Sequence, residues 1–296
     1  MDRLLDFLIY ASYRLLGALA GPMPPWLGYR LARPIGLLLY VVHCRLRKVL
    51  RHNIRHVLGP GADPSEVEAV VRRTCVNIIK GHYELFRLSR LNHDQIKSLV
   101  RIEGFEHIQQ ALAQGRGVVV VSAHAGNVDL VGQIPMAYGV PMTGAALHTQ
   151  PERLFRYVLG LRQRGGLRLI PSDAPMIGLF RALKRGEIVA LPCDLNVADR
   201  SRRVSFFGEP TELPDGPVRV ALRTGAALIP AFVTRLPDDT FLVRVEPPLS
   251  LPQTDDAETT VAAGMEMVVR AMERHIAQHP DQWLIARPIW PMDSSR

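Results

Sequence analysis

The chain has 296 residues, of which 47% are hydrophobic and 22% charged, which excludes a disordered chain and leaves enough apolar mass for a core without staples. Its three cysteines, Cys44, Cys75 and Cys193, are odd in number and form no CxxC pair, which argues against a disulfide framework or a structural zinc site and favours a reducing compartment. The formal net charge is +8 and the pI is near 9.8, a balance that suits an anionic partner: nucleic acid, anionic lipid or an acidic carrier protein.

Residues 3–21 are strongly apolar but carry Asp6 and Arg14. A spanning helix needs about 20 mostly apolar residues. A secretory signal needs an uninterrupted apolar centre. Neither fits, so the segment reads as a helix in or near a membrane interface, with an ordinary buried helix as the competing reading. The apolar run from Ile35 to Val42 is too short to span. Helices are expected over 2–20, 25–57 and 64–90. Within 45–58, Leu46, Val49, Leu50, Ile54, Val57 and Leu58 recur at helical spacing, and Arg45, Lys48, Arg51, His52 and Arg55 fill most other positions. Such a basic amphipathic helix either rests on anionic headgroups or presents a solvated basic face. Gly59, Pro60 and Gly61 separate it from the third helix, which Asp63 caps with Pro64 at its first position. Residues 1–95 form an N-terminal helical, membrane-associating segment. Residues 96–296 form an α/β part expected to be one compact unit with it.

From about residue 99, short β-branched runs alternate with helical stretches. Strands are expected at Leu99–Ile102, Gly117–Ser122, Met142–Ala145, Leu167–Ile170, Glu187–Leu191, Ala227–Thr234 and Phe241–Val245. Helices fit near 104–114, 127–138, 151–164, 174–185, 214–224 and 257–278. This alternation predicts an α/β fold with a mostly parallel central sheet flanked by helices, whose chemistry lies beyond the carboxyl ends of strands.

One strand end carries a candidate site. Gly117 to Ser122 runs into Ala123, His124, Ala125, Gly126, Asn127, Val128 and Asp129. A histidine just past a buried strand is well placed for chemistry. Gly126 permits a tight turn, and Asn127 is a good N-cap for the following helix. Asp129, in the first turn of that helix, is expected to fold back onto the imidazole, fixing its tautomer and leaving Nε2 as a base. Amides at the helix start offer oxyanion stabilisation. His43 and His148 read as lone histidines without partners. Trp26, Trp283 and Trp290 suit either a membrane-surface aromatic belt or a core edge.

The segment from His124 to Asp129 matches the H-x4-D/E motif of the lysophospholipid acyltransferase superfamily. Its Gly126-Asn127 resembles the H-x-G-N-[WF]-[DE] form of the bacterial lipid A late acyltransferases (lauroyl and myristoyl transferases) and the related phosphatidylinositol mannoside acyltransferases. Val128 departs from the usual aromatic. Further similarities follow in order: Arg162 to Gly166 resembles an R-x-R-x-G segment with a shortened glycine spacing; Val189 to Asp194 resembles a strand ending in aspartate, with Cys193 where many relatives are acidic or polar; Val204 to Pro210 resembles V-x-F-F-G-x-P. Asp215 to Pro217 and Arg223 to Ala226 resemble G-P…R-T-G-A, and Gln282-Trp283 with Trp290 resembles the closing Q-W…W. They cover about residues 100–290. The F-P-E-G-x-R-S segment of glycerolipid acyltransferases is absent, which points away from a glycerol phosphate acceptor.

The resemblance implies an O-acyltransferase at the cytoplasmic face of the inner or plasma membrane, peripheral or monotopic. It would move a fatty acyl group from acyl-carrier protein or acyl-CoA to a hydroxyl of a glycolipid, either a lipid A precursor or a phosphatidylinositol mannoside. It implies His124 and Asp129 as the catalytic pair, with His124 the general base. Gly126, Asn127, Arg162, Arg164 and Asp194 would bind substrate or the oxyanion, with Arg162 and Arg164 both open for that role and Asp194 orienting the arginine or contacting acceptor sugar. No metal, nucleotide or redox cofactor is implied. Two other classes compete. A metal-dependent hydrolase would use His124 and Asp129 as ligands but lacks a convincing second histidine. A nucleic-acid-binding protein would use the charge but lacks interleaved aromatics or a recognition motif.

Overall fold

The computed structural model describes residues 2–196, 201–252 and 254–292. Four helices lead: α1 (Asp2–Ala20), α2 (Pro25–Val42), α3 (Cys44–Leu58) and α4 (Pro64–Leu88), followed by the short α5 (His93–Ser98). Strands and helices then alternate: β1 (Val100–Glu103), α6 (Phe105–Ala113), β2 (Val118–Ser122), α7 (Val128–Val131), α8 (Ile134–Ala137), β3 (Met142–Ala146), α9 (Glu152–Gln163), β4 (Arg168–Pro171), α10 (Ile177–Lys184) and β5 (Ile188–Pro192). A hairpin, β6 (Arg202–Phe206) and β7 (Glu209–Leu213), precedes α11 (Gly216–Thr224), β8 (Ala227–Arg235), β9 (Phe241–Val245) and α12 (Ala257–Gln278).

Seven strands form one sheet in the order β1-β9-β8-β2-β5-β3-β4. All neighbours are parallel except β8 and β9. The four valines of β2 sit near the sheet centre and are buried on both faces. Because strand side chains alternate, Val119 and Val121 enter one core with α10, α11 and α12, while Val118 and Val120 enter the other with α6 and α8. Double-sided burial explains why this strand is uniformly apolar rather than alternating. Each of the seven sheet strands lies within one residue of its expected bounds at either end.

Two expected helices are broken, each for a local reason. The helix expected over 25–57 is interrupted at His43, whose Nδ1 accepts from the Leu46 amide at 3.2 Å and so caps α3. The Arg47 guanidinium meanwhile donates to the Tyr40 carbonyl at 3.0 Å and satisfies the end of α2. His43 is therefore a cap residue. The helix expected over 127–138 splits into α7 and α8, because Pro135 has no amide to continue the ladder. Asp63 caps α4 as expected, accepting from the Ser65 amide at 2.7 Å.

The hairpin β6–β7 was not expected and stands apart from the main sheet. It delivers Phe206, which is fully buried and stacks on Trp290 at 5.5 Å between centroids. Phe206 also meets Trp283 edge-on at 6.0 Å. Trp283 and Trp290 thus belong to the core, whereas Trp26 is 67% exposed. Among the described residues no helix is long and apolar enough to cross a membrane. Even so, α1 and α2 leave Leu4, Leu5, Leu15, Leu19, Leu38 and Val42 all more than half exposed.

Truncating a buried aromatic removes its burial and leaves a cavity, so Phe206→Ala should lower stability by about 3–5 kcal/mol. Trp26→Ala should change it by no more than about 0.5 kcal/mol. Urea unfolding of both variants checks the contrast, and similar losses would contradict this placement.

Candidate active site

Strand register creates the site. β2 and β5 are parallel neighbours whose last residues, Ser122 and Pro192, are paired. The Cys193 amide donates to the Ser122 carbonyl at 2.9 Å and extends that alignment past the strand ends. Two residues beyond each paired position stand His124 and Asp194. Asp194 is fully buried. One carboxylate oxygen lies 2.7 Å from His124 Nδ1. The other accepts from the His124 backbone amide at 2.7 Å and from the Trp283 indole N–H at 2.8 Å.

Burial would push both groups toward neutrality. For His124 the pull of burial is outweighed by the Asp194 charge and by its hydrogen bond, and the imidazole ends above the ordinary histidine value. For Asp194 burial is outweighed by the His124 charge and by donated hydrogen bonds, and the carboxyl ends below its usual range. The acid therefore stays ionised and holds Nδ1 protonated. His124 Nε2 is left without a protein partner among the described residues, on a ring that remains 34% exposed and lines a cavity.

This corrects the expected pairing. Asp129 does not fold onto the imidazole; its Oδ1 lies 2.6 Å from Arg162 Nε in an ion pair. Nor does Asp194 orient an arginine or face a sugar, since it is sealed beneath His124 and Trp283. The structure also separates the two arginines. Arg162 lines the cavity with His124 and Asp129, whereas Arg164 lines a different pocket between α1, α4 and α9.

The loop between is held just as tightly. Gly126 has φ +66°, and a Cβ there would run into the Val233 carbonyl. Its amide donates to the Gln282 carbonyl at 2.9 Å, and the Leu284 amide donates to the His124 carbonyl at 2.9 Å. The amides of His124 and Gly126 are therefore already committed and are not available to an oxyanion. Asn127 caps α7 through the Leu130 amide at 2.9 Å, as its residue type suggested.

Beyond Asn127 lies a network that sequence reading missed. The Asn127 side-chain amide donates to Glu84 Oε2 at 2.6 Å. Glu84, on α4, is buried and takes a forked ion pair from Arg235, one arm at 2.8 Å. The Tyr29 hydroxyl donates to the same carboxylate at 2.9 Å. Arg235 also exchanges two hydrogen bonds with the Gln282 side chain, its amide donating at 2.7 Å and its carbonyl accepting at 2.9 Å. Burial alone would weaken the guanidinium, but the Glu84 hydrogen bonds and charge keep it firmly protonated. The signal was present in the sequence: a glutamate inside the buried face Tyr83–Phe86, and an arginine closing the apolar strand β8.

The cavity under His124 measures about 500 Å³. Its polar end holds His124, Asp129 and Arg162, and its depth is apolar, with Val120, Met142, Leu159 and Leu169 among its walls. A second groove of about 290 Å³ shares Asp129 and Arg162 and reaches Asn127 and Leu284. The two meet at the Asp129–Arg162 pair. A larger concavity of about 570 Å³ lies at the opposite, amino end of β2 and β8, far from these groups. His148, expected to be alone, is bound on both sides: Nδ1 lies 2.6 Å from Asp173 and Nε2 2.6 Å from Glu152. It ties the loop after β3 to the loop after β4. Among the described residues no group of three or more His, Cys, Asp or Glu is arranged to hold a metal ion.

A family model described as bacterial lipid A biosynthesis acyltransferase matches residues 2–291. Two phosphatidylinositol mannoside acyltransferases are similar. The Mycobacterium tuberculosis protein is 31% identical over 83% of this chain and 78% of its own length. The Mycolicibacterium smegmatis protein is 29% identical over 83% and 80%. The lipid A biosynthesis lauroyltransferase of Escherichia coli is 28% identical over 86% of this chain and 82% of its own.

Removing one member of a buried ion pair leaves the other uncompensated, so Arg235→Met should destabilise the fold by about 3–5 kcal/mol. Glu84→Gln combined with Arg235→Met should lose less than the single variant, because no buried charge is stranded. Urea unfolding gives the comparison, and a double variant weaker than Arg235→Met alone would contradict the network.

Proposed function

This chain belongs to the bacterial lipid A biosynthesis acyltransferase family, and on that premise we propose that His124 is the general base in transfer of a fatty acyl group from a thioester to a glycolipid hydroxyl. The observation that carries the proposal is the His124 ring, backed by a buried ionised Asp194 and open through Nε2 to a deep apolar cavity. Nε2 takes the proton of the acceptor hydroxyl as its oxygen attacks the thioester carbonyl carbon. The tetrahedral adduct collapses with cleavage of the carbon–sulfur bond. The imidazolium returns its proton to the departing thiolate, leaving an ester and a free thiol. Asp194 orients the ring and stabilises the imidazolium. Asp129 holds Arg162, a positioning role, and the guanidinium offers charge to the developing oxyanion or to a phosphate.

The apolar depth of the cavity suits the acyl chain, and the adjoining groove at Asp129 and Arg162 suits the acceptor. The donor is acyl-CoA or acyl-carrier protein, and the acceptor a phosphatidylinositol mannoside or a lipid A precursor. The exposed leucines of α1 and α2 suit peripheral or monotopic seating on a bilayer, here assigned to the cytoplasmic face where thioester donors are made. Transfer is direct. Ser122 spends its hydroxyl on the Ala123 carbonyl at 3.3 Å. Cys193 is buried, and burial raises its thiol far above the ordinary value, so neither is an activated nucleophile.

His124→Ala should reduce transfer of labelled acyl groups by on the order of 10²–10⁴-fold while the protein remains folded. Undiminished turnover in that variant would remove His124 from the reaction. Labelled acyl-CoA and acyl-carrier protein, each offered with both acceptors, identify the substrates.

The base must be neutral to act. Because its conjugate acid is raised, kcat/KM should climb with pH to a midpoint above about 6.5, the ordinary histidine value. Asp194→Asn removes the largest raising charge and its hydrogen bond to an ionised partner, so the midpoint should fall as kcat drops. A midpoint unchanged by that substitution would uncouple Asp194 from His124.

A further inference from the structure

We infer that Arg14, Arg90 and Arg164 form a binding site for a phosphate group, separate from the catalytic cavity. The three come from different elements: Arg14 from α1, Arg90 just past the end of α4, and Arg164 from the cap of α9. All line one pocket of about 290 Å³, together with Tyr157, Phe86 and Ser89. Arg162, two residues before Arg164, is neutralised by Asp129. None of these three arginines has a carboxylate partner among the described residues. Arg14 instead donates to the Tyr10 hydroxyl at 3.0 Å and lies 5.3 Å from the centroid of Tyr157. Like charges repel, so gathering three guanidiniums around one hollow favours an anion between them.

The backbone is adapted to this approach. A Cβ on Gly17 would lie 2.5 Å from the Tyr157 hydroxyl and 2.9 Å from Phe86. A Cβ on Gly21 would lie 2.6 Å from Arg90 Nε. At position 17 the absent side chain lets α1 close against the rings of Phe86 and Tyr157 and form the pocket wall.

The chemistry favours phosphate. Guanidiniums arriving from three directions present several N–H forks, which match a tetrahedral group with several oxygens better than a carboxylate with two. The position favours a lipid phosphate. Leu15, Leu16 and Leu19 of α1 are each more than half exposed beside Arg14 and Ala18, which puts the pocket at headgroup depth once those leucines enter a bilayer. A phosphate on the acyl donor has the same chemistry, and Tyr157 of this pocket meets Tyr13 of the catalytic cavity edge-on at 6.4 Å between centroids.

The test compares the full-length protein with an Arg14→Gln/Arg90→Gln/Arg164→Gln variant. Its control, Arg116→Gln/Lys184→Gln/Arg203→Gln, removes the same charge from exposed positions outside the leading helices. Flotation on phosphatidylcholine vesicles containing phosphatidylglycerol reads lipid binding. The KM for acyl-CoA, against acyl-CoA lacking its 3′-phosphate, reads donor binding. With a lipid phosphate in the pocket, the pocket variant loses about tenfold or more in vesicle affinity beyond the control, and the donor KM is unchanged. With a donor phosphate there, the KM for acyl-CoA rises about tenfold and that for the dephosphorylated donor does not, while vesicle binding matches the control. An Arg→Lys version of the pocket variant should recover part of either loss. A pocket variant that matches the control in both readouts overturns the proposal. The donor arm rests on the acyltransferase reading, but flotation needs no turnover, so failure of the site and failure of that reading are distinguishable.

Discussion

Everything at the site depends on one carboxylate that water does not reach. Asp194 accepts from the His124 ring, the His124 backbone and the Trp283 indole. A buried ion survives only when its lone pairs are met, and these three donors meet them. The same contacts that keep Asp194 charged fix where the imidazole points and which nitrogen carries the proton. Stability and chemistry are thus coupled at one atom group. The aromatic packing of Phe206, Trp283 and Trp290 acts through that indole, so the unexpected hairpin is part of what holds the imidazole in place.

A second buried charge organises the approach from the other side. Glu84 on α4 grips Asn127, the residue that caps α7 and so sets the position of Asp129. Arg235 balances Glu84 and reaches through Gln282 to the loop beside Gly126. The leading helices therefore do more than offer apolar surface. One of them helps fix the loop that follows His124, and α1 walls both the cavity, through Tyr13, and the arginine pocket, through Arg14. The helix with the exposed leucines thus also borders the His124 cavity.

The sheet strands were legible because a parallel strand buried on both faces must be continuously apolar, as Val118 to Val121 are. His124 was legible from its place past that strand, and Asn127 from its capping chemistry. What was not legible was partnership at long range. Reading locally, the carboxylate nearest to His124 is Asp129, five residues on. The actual partner is 70 residues away and arrives through the register of β2 on β5. Had the two strands been aligned end to end, the equal offsets of His124 and Asp194 would have suggested it. Glu84 and Arg235 lie 151 residues apart, and only their odd placement in apolar faces hinted at a pair. His148 was misread for the same reason, since one of its two carboxylates comes from the next loop of the sheet. The break at His43 escaped because a histidine accepting from a backbone amide mimics a cap that sequence rules assign to Ser, Thr, Asp or Asn.

The central claim is that Asp194, not Asp129, sets the protonation of His124. Nitrogen NMR of the His124 ring across pH tests it most directly. The account predicts an Nδ1–H tautomer with a bare Nε2 at high pH, titrating above the ordinary histidine range, unchanged in tautomer by Asp129→Asn and lost in Asp194→Asn. A ring protonated on Nε2 at high pH, or one whose tautomer follows Asp129 instead, would contradict it.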